Sequence, residues 1–67
     1  MEKIIGKIKW YKENKKHGYI IGIDEELYYF DSLKTIDSNY SFSEGEEVKF
    51  IPHFEAKIPY ATEVEKA

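Results

Sequence analysis

Cysteine is missing from this chain, so no disulfide can staple it and no thiolate can hold a metal. Two histidines, His17 and His53, are too few for a zinc site unless carboxylates complete it. Arginine is missing as well, and all ten cationic side chains are lysines. Lysine offers a point charge to phosphate but no fork for guanine, which excludes arginine-based reading of a duplex. No apolar run approaches the length of a membrane span. The opening Met1-Glu2-Lys3-Ile4-Ile5 lacks the long apolar stretch of a signal peptide, so a cytoplasmic protein with no membrane contact is expected. No nucleophile stands at a recognisable spacing from a base, and there is no phosphate loop or metal triad. The chain is therefore expected not to be an enzyme, with no cofactor, no metal and no small-molecule substrate. Asp24-Glu25-Glu26 lacks the ligand spacing of a calcium loop and reads as a tight turn.

What is present fits one small domain, residues 1–67, expected as a monomer. The net charge of −3 argues against a nucleic-acid partner, but the distribution softens it. Residues 1–16 hold six lysines against Glu2 and Glu13, while the remainder is strongly acidic. No stretch has a sustained helical period. Aromatic and β-branched residues alternate with polar ones in short runs, which predicts strands over 3–12, 17–23, 27–30, 46–53 and 60–65. Residues 31–45 read as a longer connection, with one helical turn near Ser32-Lys34. Five short strands in so few residues favour a closed barrel, which removes exposed edges. Gly6, Gly18 and Gly22 fall inside strand patterns, as bends and bulges of a barrel require. The expected fold is all-β, a five-stranded antiparallel OB-type barrel.

Three segments interleave aromatics with lysines: Lys9-Trp10-Tyr11, Lys15-Lys16-His17-Gly18-Tyr19-Ile20 and Leu27-Tyr28-Tyr29-Phe30. On neighbouring strands of a meander their outward residues form one surface. A single strand of RNA or DNA needs π-faces to stack its bases and cations along its phosphates, and this mixture supplies both.

These residues carry a family resemblance. Gly6-Lys7-Ile8-Lys9-Trp10-Tyr11 is similar to the opening of the cold-shock domain family, usually a glycine, a few residues, then Lys-Trp-Phe. Lys15-Lys16-His17-Gly18-Tyr19-Ile20 resembles its first RNA-binding motif, usually Lys-Gly-aromatic-Gly-Phe-Ile. Leu27-Tyr28-Tyr29-Phe30 resembles the second, usually Val-Phe-Val-His-Phe. The stretches 42–50 and 56–64 resemble the family's fourth-strand entry and closing strand. The resemblance implies an OB-type barrel that binds single-stranded RNA or DNA with little sequence preference, as an RNA chaperone. It also implies a nucleic-acid face made of Lys9, Trp10, Lys15, His17, Tyr19, Tyr28 and Phe30, with Tyr11 beside it. A rival from another class is a degenerate barrel serving as a protein-interaction or ribosome-associated module.

Several positions depart from the family pattern. Lys16 stands where the family usually has glycine, His17 replaces a stacking aromatic, Phe30 replaces a histidine, and Asp31 follows where another phenylalanine is common. No residue cleanly matches the aromatic of the long loop, Tyr40 lying one position away. Strict alternation puts Trp10 on the face of Ile8, in the core, whereas the family's bend near this point turns it outward. The short turn at Asp24-Glu26 leaves the register of the third strand open by one residue, so Phe30 falls inside under the other register. Tyr19 and Tyr28 can equally pack a core edge with their hydroxyls in water. His53 and Tyr60 receive no role.

Overall fold

The computed structural model describes residues 2–31, 35 and 41–67. The described residues form five strands and no helix: β1 (Ile4–Lys12), β2 (His17–Gly22), β3 (Leu27–Asp31), β4 (Glu47–His53) and β5 (Tyr60–Lys66). Each begins and ends within one residue of the stretch that the sequence suggested. The expected helical turn near Ser32-Lys34, and Tyr40, lie outside the described residues.

The strands close into a barrel in the order β1-β2-β3-β5-β4, with β4 returning to β1. All neighbours run antiparallel except β3 and β5, which are parallel at Tyr29 and Tyr60. The expectation of a purely antiparallel barrel is corrected here to a mixed one, and parity gives the reason. Strand direction reverses at every antiparallel junction, so a closed ring with an odd number of strands must contain a parallel pair.

The barrel interior is filled by Ile8, Ile20, Tyr28, Phe30, Phe42, Val48, Phe50, Ala61 and Val64, with Ile4 and Tyr11 packed against them. Aromatic side chains bury large areas, and they compensate for the small core of so short a chain. Phe30 stacks on Tyr11 at 5.8 Å and meets Phe42 edge-on at 5.4 Å. β1 reaches two partners at once because Gly6 pairs with Gly22 on one side and Val48 on the other. A Cβ at Gly6 would sit 2.7 Å from the Ile20 side chain and 2.9 Å from the Phe50 ring, so only glycine lets the strands approach this closely.

Candidate nucleic-acid interface

The outer surface of β1, β2 and β3 is set by one irregularity. Ile8 pairs with Ile20, but Trp10 pairs with Tyr19, so Lys9 is an extra residue on β1. This β-bulge reverses the parity of everything after it. Ile8 stays inside, Lys9 and Trp10 both come to the outer side, and Tyr11 turns inward onto Phe30 and Phe42. Gly18 opposite permits the bulge, since a Cβ there would lie 2.2 Å from the Trp10 carbonyl oxygen. Trp10 is half-buried, outside the core, and touches His17 at 5.5 Å and Tyr19 at 5.8 Å between ring centroids. Tyr11, the weaker candidate beside the face, belongs with the core packing instead.

On β3 the expected site residues are corrected. Tyr28 and Phe30 are both fully buried and cannot stack a base. The pairing with β2 decides the matter: Tyr28 lies opposite Ile20 and Phe30 opposite Gly18, both inward positions, whereas Tyr29 lies opposite the outward Tyr19. The Tyr28 ring packs on Phe50 at 4.9 Å, and its hydroxyl donates to Asp24 Oδ2 at 2.6 Å. Burial first, and then the Asp24 carboxylate, push the Tyr28 phenol far above its ordinary value, so it stays neutral and ties the β2–β3 turn to the core.

The outward aromatics form a closed ring of contacts. Trp10 touches Tyr19, Tyr19 meets Tyr29 edge-on at 5.7 Å, Tyr29 meets His17 at 5.9 Å, and His17 returns to Trp10. His17 Nδ1 also lies 3.4 Å from the Tyr29 hydroxyl. Burial, with Asp31 second, raises the Tyr29 phenol above its ordinary value, which keeps it a neutral donor. Tilted and edge-to-face packing fixes these rings without capping them face to face. The lysines separate into two groups. Lys3 pairs with Glu65, and Lys66 pairs with Glu46 at 2.8 Å, both away from the aromatic face. Lys9, Lys12 and Lys15, beside the face, are exposed and have no carboxylate partner among the described residues. Lys15 sits in the β1–β2 turn, which Lys16 completes with a φ of 56°. That left-handed conformation favours glycine, the residue usual there in the cold-shock pattern.

Two residues given no role in the sequence reading adjoin this surface. Tyr60 pairs with Tyr29 across the parallel junction, and the His53 and Tyr60 rings stack at 4.6 Å with 6° between their planes. The Tyr60 hydroxyl donates to Glu55 Oε1 at 2.7 Å, which raises the Tyr60 phenol and lowers the Glu55 carboxyl relative to their ordinary values. His53 Nε2 lies 2.7 Å from Thr62 Oγ1. Strand periodicity alone does not pick out this pair, because it depends on the register of the β4–β5 hairpin, in which His53 faces Tyr60 beside the loop. Between Tyr19, Tyr29 and Tyr60 and the β4–β5 loop residues Ala56, Lys57 and Ile58 runs a groove of about 510 Å³. Among the described residues no group of histidine, aspartate and glutamate side chains is placed to hold a metal. No protein-family model matches the chain, and no curated protein matches its sequence.

Proposed function

We propose that this chain is a non-catalytic, OB-type barrel similar to the cold-shock domains, binding single-stranded RNA or DNA on the outer face of β1–β3. The observation that carries the reading is the ring of Trp10, Tyr19, Tyr29 and His17, flanked by the exposed lysines Lys9, Lys12 and Lys15. Each stacked base contributes about 1–3 kcal/mol and demands no particular sequence, because every base has a π-face. A protein that binds only unpaired strands draws the pairing equilibrium toward them by mass action, with no nucleotide hydrolysis. That is the action of an RNA chaperone. Filter binding with a pyrimidine-rich oligonucleotide, alone and annealed to its complement, tests this directly. The single strand is retained and the duplex competes poorly, since its bases are already stacked. Equal retention of the two would reject base stacking as the source of affinity.

A second reading has an observation of its own. Ile23 is 76% exposed, with Ile5 and Leu27 each 38% exposed on the adjacent strands. Exposed apolar patches mark interaction sites, and with a net charge of −3 this one suits a protein partner more than ribosomal RNA. Failure of every single strand in the filter assay would move this reading to first place.

A further inference from the structure

We propose that the groove between Tyr29, Tyr60 and the β4–β5 loop is a separate seat for one unpaired base, carrying the bound strand off the β1–β3 face and onto β5. The proposal rests on the single-strand reading above. Three features of the groove support it.

The first is continuity. Tyr19 and Tyr29 belong both to the ring of outward aromatics and to the groove wall, so a strand laid on the face already borders the groove. The second is rigidity on the far side. Tyr60 is stacked on His53, and the tips of both rings are held, by Glu55 and Thr62 respectively. A ring fixed in this way loses little freedom when a base packs against it. The third is the division of polarity. The walls are aromatic and aliphatic, with Lys57 on the loop as the cation. Among the described residues Lys57 has no carboxylate partner. An apolar slot beside an available ammonium suits a planar base whose own phosphate lies at the mouth. The Glu55 carboxylate, hydrogen-bonded by the Tyr60 hydroxyl and 3.3 Å from His53 Nδ1, keeps its negative charge, so the phosphate has to lie on the Lys57 side of the mouth.

The test is an abasic scan. A pyrimidine oligonucleotide of about 4–8 nucleotides, the span of a small OB-type site, is made with one base removed at each position in turn. Each version is titrated against the wild type, Tyr60→Ala, Tyr60→Phe and Ile58→Glu. Ile58 is 54% exposed, so the glutamate variant keeps the fold while placing a charge at the groove wall. Tyr60→Ala and Ile58→Glu weaken the intact strand about tenfold, the size of one base–aromatic stack. Tyr60→Phe, which keeps the ring but loses the hold of Glu55, weakens binding less than Tyr60→Ala does. At one position, removing the base costs the wild type about the same factor, and there Tyr60→Ala costs nothing further and Ile58→Glu costs less than on the intact strand, its carboxylate still facing the phosphate. Unchanged affinity in both variants, or an equal loss against every abasic strand, overturns the groove as a base seat. If Trp10 fluorescence is still quenched by the strand in those cases, the β1–β3 face stands and only the groove falls. A wild-type protein that binds no single strand removes both.

Discussion

Tyr29 and Phe30 are adjacent aromatic residues whose side chains leave β3 on opposite sides, and their substitution separates binding from folding. Phe30 is fully buried between Tyr11 and Phe42. Truncating such a ring to alanine costs about 3–5 kcal/mol, most of what a small domain has. Phe30→Ala is therefore expected to be largely unfolded at room temperature by circular dichroism. Tyr29 is half-buried on the outer face and contributes its ring edges to His17 and Tyr19. Tyr29→Ala keeps a cooperative melt near that of the wild type and loses about 1–3 kcal/mol of single-strand affinity. A Tyr29→Ala variant that binds undiminished would remove β3 from the interface. The same pair shows where sequence reading stops. Leu27-Tyr28-Tyr29-Phe30 is apolar at every position, so alternation carries no parity and either register is consistent with it. Only the pairing with Gly18 and Ile20 chooses between them.

The strands themselves were legible because polar turns bracket runs rich in aromatic and β-branched residues, most of which alternate with polar ones. What alternation cannot convey is an interruption of itself. The bulge at Lys9 inverts the parity of β1, so periodicity alone buries Trp10, and only the family resemblance pointed outward. The register of the β4–β5 hairpin was equally hidden, and it is what sets His53 against Tyr60. That hairpin is clamped by charge as well as by the ladder. Glu46, just before β4, takes a hydrogen bond from the Ser43 amide at 3.1 Å and pairs with Lys66 on β5. The Lys66 ammonium, with the Ser43 amide assisting, holds the Glu46 carboxyl below its ordinary value. The unfolded chain therefore takes up this proton first. The stabilisation is present in full above the ordinary glutamate range and is lost as pH falls through the lower, folded value. Melting temperatures measured from neutral to acidic pH should fall for the wild type, and less steeply for Glu46→Gln, which begins lower at neutral pH. Parallel curves would show that the clamp contributes nothing.

Over the whole molecule, the closed barrel gathers groups that the chain keeps far apart. Lysines concentrated in residues 1–16 flank the outer aromatics of β1–β3, while Lys3 and Lys66 are held by carboxylates elsewhere. A net charge of −3 then leaves stacking, more than phosphate attraction, to supply affinity for a single strand. Trp10 is the only tryptophan, so its fluorescence reports on the centre of this face alone. Titration of the free protein with a pyrimidine-rich single strand, followed through Trp10 emission, tests the central claim most directly. We predict a red-shifted emission in the free protein, quenched in a saturable manner by the single strand and little affected by the matched duplex. Emission that single strands leave unchanged, at concentrations where filter binding detects a complex, would contradict the placement of the strand on this face.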